Sequence, residues 1–173
     1  MDKHKNDKLR ILTMTAMLAA LTTVATLVIR IPTVTKGYIN LGDTIVSLSA
    51  WLLGPAYGAA AAGFGSALAD IIAGYTVYAP ATLVIKALMA VAAWYGYAAA
   101  SKRLTGIPAR IAAAVLAELV MVVGYAAFEG VLYGSVEAAW LSVTGNVVQG
   151  VFGAGASVAL YETVLRRLPR ISK

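Results

Sequence analysis

Long apolar runs, broken by short polar stretches, organise this chain. Leu9 to Ile29 is the first run, and it follows a basic tail containing Lys3, Lys5, Lys8 and Arg10. It is longer than a signal-peptide core and continues into Arg30-Ile-Pro32 with no small-residue cleavage site, so the pattern predicts a retained helix. Leu41 to Leu53 is a shorter run, about 20 Å at 1.5 Å per residue. Gly54-Pro55 follows, and proline suits the first turn of a new helix while disfavouring helical geometry just before it. Further runs cover about 56–73, 81–100, 111–133 and 139–166. With the first at about 9–30 and the second at about 41–53, they predict an all-α membrane protein: one domain, 1–173, of six transmembrane helices.

Composition fits this pattern. Of 173 residues, 60% are hydrophobic and 13% charged, and the mean hydropathy is +0.79. The charged share is about half that of a soluble domain. The chain contains no Cys, which excludes disulfides and thiolate chemistry. Its only His, His4, sits in the charged tail. A net charge of +6 could indicate nucleic acid, but most basic residues flank apolar spans and are better explained by membrane orientation. With six spans, one side collects Lys3, Lys5, Lys8, Arg10, Lys102, Arg103, Arg110, Arg166, Arg167, Arg170 and Lys173, and the other only Arg30 and Lys36. The positive-inside rule then puts both termini in the cytoplasm. "KGYINLGDTIV" (36–46), "GYTVYAP" (74–80) and "YGSVEA" (133–138) fall outside.

Ionisable groups within apolar spans are costly and need a reason. Asp70 lies near the outer end of the third span, on a small polar face with Ala59, Gly63 and Ser66. Lys86 falls roughly 9 Å below the outer end of the fourth. Glu118, Val122, Tyr125 and Glu129 share a face of the fifth, and Asn146, Gly150, Gly153 and Ser157 a face of the sixth, with Gln149 alongside. Asp43, Asp70, Lys86, Glu129, Asn146 and Gln149 therefore gather in the outer half of the membrane. Loops carrying Tyr38, Asn40, Tyr75 and Tyr78 lie above them. A bundle around a polar cavity open to the outside would satisfy all of these groups.

Each residue also has a purely structural reading. Lys86 could snorkel to the surface or pair with Asp70. Asn146 and Gln149 could bond neighbouring helices, and Glu118 could be protonated packing. Asn40 and Asp43 could cap the second span. Trp51 and Trp94 read as interface anchors. Small-xxx-small spacings at 54–58, 59–63 and 150–154 permit close helix approach. Ala16 and Ala20 do the same on the first helix, which could offer that face to another protein.

No energy-converting motif is present. "GAAAAGFGS" (58–66) has the glycine spacing of a phosphate loop but lacks its Lys and the Ser/Thr after it, and it lies in a membrane span. No inverted repeat of the kind common in secondary transporters is visible, and no metal or cofactor is expected.

Three strings together, "GYINLGD", "LLGPAYGAAAAGFGSALADIIAGY" and "YAPATLVIKAL", resemble the substrate-binding S components of energy-coupling factor (ECF) vitamin importers. The likeness is to the riboflavin-related branch assigned to hydroxymethylpyrimidine or pyridoxine-like compounds. It covers nearly the whole chain and is strongest from Gly37 to Leu88. It implies a six-helix protein of the prokaryotic plasma membrane that captures a vitamin under external loops. It also implies partners: a transmembrane coupling protein (T component), met through Ala16 and Ala20, and two ABC ATPases. Carried onto this chain, the family's site points to Tyr38, Asn40, Asp43, Tyr75, Tyr78, Lys86, Glu129, Asn146 and Gln149. Asp70 and Tyr125 join them on depth and helix face. Acid and base are balanced in this set, which favours a planar, neutral heteroaromatic ligand held by Tyr stacking and amide hydrogen bonds. Two other readings remain at this level. One is a small membrane enzyme using Asp70 or Glu129 as acid or base, and the other a cation- or proton-conducting oligomer lined by Glu118.

Overall fold

The computed structural model describes residues 3–33 and 37–167. The charges at Lys36, Arg170 and Lys173, and the side chains of Lys3, Lys5 and Arg167, lie outside the described residues. The order is α1 (Lys3–Val28), β1 (Arg30–Pro32), β2 (Tyr38–Asn40), α2 (Gly42–Ala73), α3 (Ala79–Ala100), α4 (Ile107–Tyr133) and α5 (Val136–Thr163), followed by a 3-10 turn at Leu165–Arg167. All five helices are long and apolar enough to cross a membrane. Large apolar side chains such as Phe64, Leu68, Leu119 and Phe152 point outward from the bundle, as suits a protein surrounded by lipid tails.

Where the apolar pattern predicts six separate helices, the structure divides into five. The runs Leu41–Leu53 and Ala56–Ala73 fall within one element, α2. The break between them is carried by a single residue: Gly54 has φ 83° and ψ 179°, a conformation closed to residues with a Cβ. Pro55 opens the second limb. The two limbs meet face to face, for a Cβ on Gly58 would lie 2.6 Å from the Ala50 Cα and 2.9 Å from the Ser49 carbonyl oxygen. Eight residues along an unbroken helix span about 12 Å, so the chain folds sharply at Gly54.

Other boundaries shift for local reasons. Helix α4 begins at Ile107 rather than 111 because Pro108 occupies its first turn. Helix α5 begins at Val136 rather than 139 because the Ser135 side chain caps it, accepting from the Ala138 N–H at 3.3 Å. Past α1, residues 30–32 leave helical geometry altogether. They pair antiparallel with β2, Arg30 opposite Asn40 and Pro32 opposite Tyr38, a hairpin that the hydropathy pattern does not reveal.

Small residues bring the helices together. Gly63 abuts the Leu83 carbonyl on α3 and Gly65 the Ala19 carbonyl on α1. Thr23 Oγ1 ties the second contact by donating to Gly65 O at 2.8 Å. Ala16 and Ala20, by contrast, are exposed on α1.

Two polar clusters occupy opposite ends of the bundle. At one end Arg110 is buried, its guanidinium 3.3 Å from the Tyr161 ring centroid and 4.3 Å from that of Tyr97, with Nε donating to Glu162 at 2.8 Å. Arg110 reads in sequence as a loop charge, but aromatic rings and a carboxylate hold it inside. Trp51 reads as an interface anchor, yet it is buried in the same cluster and its indole N–H donates to the Ala93 carbonyl at 3.1 Å. The other cluster, formed by the hairpin, the start of α2 and the facing parts of the later helices, is the candidate site.

Candidate functional site

The cavity at this end measures about 430 Å³ counting its mouth. The hairpin supplies Thr33, Gly37, Tyr38 and Asn40, and α2 supplies Asp70. Tyr78 and Thr82 come from the start of α3, Tyr125 and Glu129 from α4, and Ser142, Asn146 and Gln149 from α5. The α1–α2 connection thus forms part of the wall, and every later helix adds to it.

The floor is a chain of polar contacts. Lys86 Nζ pairs with Asp43 Oδ1, and both side chains are buried. Gln149 Nε2 donates to Asp43 Oδ2 at 2.5 Å, while Gln149 Oε1 accepts from the Asn40 backbone N–H at 2.7 Å. Asn40 Oδ1 in turn accepts from the Gly42 N–H at 2.8 Å. Gln149 therefore uses both ends of its amide to join α5 to the hairpin and to the start of α2. Asn40 thereby closes a local turn just ahead of α2, while the N-cap position itself, Leu41, has no side-chain cap. Asp43 is drawn into the interior network instead of capping the helix.

The expected Asp70–Lys86 pair does not form, and Lys86 does not snorkel. Lys86 lies beneath the Tyr125 ring, 5.4 Å from its centroid, and turns to Asp43. Asp70 Oδ1 instead accepts from the Tyr38 hydroxyl at 2.5 Å. Burial first, and the Asp70 carboxylate next, hold the Tyr38 phenol above its ordinary range, so it stays a donor. Tyr38 stacks at a tilt on Tyr75, centroids 4.7 Å apart. Tyr75 thus backs the wall without lining the cavity. Tyr78 packs edge-on to Phe128 and its hydroxyl meets that of Tyr133 at 3.2 Å. Burial, then Tyr133 and Glu129, push the Tyr78 phenol up as well.

Of the residues singled out by sequence, Tyr38, Asn40, Asp70, Tyr78, Tyr125, Glu129, Asn146 and Gln149 converge on the cavity. Asp43 and Lys86 lie one layer below it and Tyr75 lies behind it. Thr33, Gly37, Thr82 and Ser142 also line it. Thr82 and Ser142 stand four residues before Lys86 and Asn146 on the same helix faces, a spacing that could have found them. Asn146 Nδ2 donates to Ser142 Oγ at 3.0 Å, and Thr82 shares a hydrogen with Tyr125 at 2.9 Å. No sequence signal marks Thr33. Glu118 sits below the floor, where Gly153 lets its carboxylate approach Asp43.

A family model described as "ECF-type riboflavin transporter, S component" matches residues 6–167. The chain belongs to this family. An S component is a substrate-binding subunit of a transporter, not an enzyme, and ECF S components work in the membrane with a T component and ATPases. The acid–base reading of Asp70 and Glu129 is therefore set aside. A protein of Pyrococcus woesei, described only as lying in a gap 3' region, is 41% identical to this S component over 133 residues, 76% of this chain and 85% of that one. The fold is similar to that in a solved structure described as the S component of a bacterial ECF transporter, with a TM-score of 0.70 and 19% identity over 94% of this chain and 99% of that one.

Proposed function

We propose that this S component captures a small heteroaromatic vitamin or precursor, of hydroxymethylpyrimidine or pyridoxine size, from outside the cell and delivers it through an ATPase-driven partner module. The observation that carries this reading is the polar cavity itself. Side chains from five chain segments enclose it, and tyrosines and amides set its chemistry. Tyr38, Tyr78 and Tyr125 offer ring faces, while Asn146 and Gln149 offer amides to hydroxyls and ring nitrogens.

The same reading sets the protein in a prokaryotic plasma membrane with six passes and both termini inside. The sharp fold at Gly54, which brings Gly58 against Ala50, supports taking α2 as two antiparallel passes. The basic residues then collect on one side. Ala16 and Ala20, exposed on α1, form the face offered to the T component.

Purified protein tests the site. Mass spectrometry of co-purifying small molecules identifies the ligand, and equilibrium titration measures its affinity. Asn146→Ala and Glu129→Ala are each expected to weaken binding at least tenfold, about 1.4 kcal/mol. Unchanged affinity in both variants would rule out this cavity as the binding site.

A further inference from the structure

The charge facing the cavity differs from the balance in the sequence. Lys86, the one cation among the intramembrane candidates, is committed to Asp43 and shielded by the Tyr125 ring. It does not line the cavity and acts on Asp70 only at longer range. Arg30 is exposed on β1 and does not line it either. Among the described residues, the ionisable groups on the wall besides the tyrosines are two carboxylates, Asp70 and Glu129.

Asp70 carries a second, independent sign. It is 4% exposed, and its Oδ1 is taken by Tyr38 while Oδ2 is buried with no hydrogen-bond partner among the described residues. A buried carboxylate oxygen left unmatched is costly, more so than a neutral group. A family of capture proteins offers a direct way to match it, because the missing donor can arrive with the ligand. The Thr82 hydroxyl on α3 also interacts with Asp70, yet it shares a hydrogen with Tyr125 at 2.9 Å and leaves Oδ2 without a hydrogen bond of its own.

We infer that the captured ring carries an ammonium- or amidinium-type group that pairs with Asp70 in the cavity. This rests on the capture reading above and narrows it to cationic rings, in place of the neutral ring that the balance of charge in the sequence favours. Tyr38 fixes the orientation of the carboxylate, and the surrounding tyrosine faces favour a cation over a neutral group. Discrimination then comes from both directions: a neutral ring leaves Oδ2 unmatched, and an anionic ring is repelled by both wall carboxylates.

Two probe pairs test this by calorimetric titration of the purified full-length chain. Pyridoxamine and pyridoxine share one ring and differ by an ammonium in place of a hydroxyl; benzamidine and benzamide differ by a cationic amidinium in place of a neutral amide. The cationic member of at least one pair is expected to bind at least tenfold more tightly, and Asp70→Asn should abolish that preference. Equal or reversed affinities in both pairs would overturn the inference, as would a preference that survives Asp70→Asn. Should Asp70→Asn fail to fold, Glu129→Gln decides instead: a preference that survives it assigns the pairing to Asp70, and a preference lost with it overturns that assignment. Lys36 precedes Gly37 in the chain, so Lys36→Gln serves as a control. The preference should persist or grow in it, and its loss would overturn the assignment to Asp70. If no probe binds but a neutral ring co-purifies, the charge assignment falls while the capture reading stands. If nothing binds or co-purifies with folded protein, both fall.

Discussion

Lys86 and Asp43 form an ion pair in which the side chains are 3% and 0% exposed, joining α3 to the start of α2 beneath the cavity. Removing one member of a buried pair leaves the other charged and unmatched, which typically costs about 3–5 kcal/mol. Lys86→Met and Asp43→Asn should therefore each lower thermal stability sharply in detergent. The double variant should recover most of the loss, since it removes both charges together. A double variant no more stable than the singles would show that the pair is not the main term.

The tyrosines bracketing the cavity predict alkaline sensitivity. Tyr38 and Tyr78 have pKa values raised above the ordinary 10.0, chiefly by burial. The unfolded phenols ionise first, so their contribution to stability is complete below about pH 10 and declines as pH rises above it. Melting temperature should fall above that pH, and less steeply in Tyr38→Phe/Tyr78→Phe than in the wild type. Equal slopes would remove these residues from the account.

Two glycines on α5 give a matched comparison. A Cβ on Gly153 would lie 2.5 Å from Glu118 Oε1 and 2.9 Å from Asp43 Cβ, whereas one on Gly155 meets nothing within 4 Å. Overpacking of this kind typically costs about 1–3 kcal/mol. Gly153→Ala should be destabilised to that extent, and Gly155→Ala should match or exceed the wild type because alanine favours helix. Denaturation of the two variants side by side reads the difference.

Glu118 is a further case. Both of its carboxylate oxygens are buried without a hydrogen-bond partner among the described residues. A carboxyl group there is best carried neutral, and an amide of the same shape can replace it closely. Glu118→Gln should leave ligand affinity unchanged and stability equal or higher. A large loss of stability would mean that the carboxylate has a role that an amide cannot fill.

Much of this was legible along the chain, and the parts that were not share a cause. Helical spacing put Asp70, Glu129, Asn146 and Gln149 on inward faces at one depth, and all four line the cavity. The choice of partner was not legible. Lys86 could reach Asp43 or Asp70, and which it meets depends on the rotation and relative height of α2 and α3, which periodicity along one helix does not encode. The same holds for Trp51 and Arg110: sequence placed them near helix ends, but burial came from Tyr97, Tyr161 and Ala93 on other helices. The hairpin of β1 and β2 escaped because three-residue strands leave no hydropathy signature. The break within α2 was legible at Gly54-Pro55, where Gly54 leaves helical geometry.

The Lys86–Asp43 contact also bears on biogenesis. The two residues are 43 positions apart, and Gln149, which completes the shell around Asp43, comes 106 positions after it. A nascent chain that has delivered only its first helices to the bilayer holds an acidic group there with no counter-ion. Segments that settle one at a time would leave that group without its partners, and the finished shell around it forms only once Lys86, and finally the last helix, has emerged.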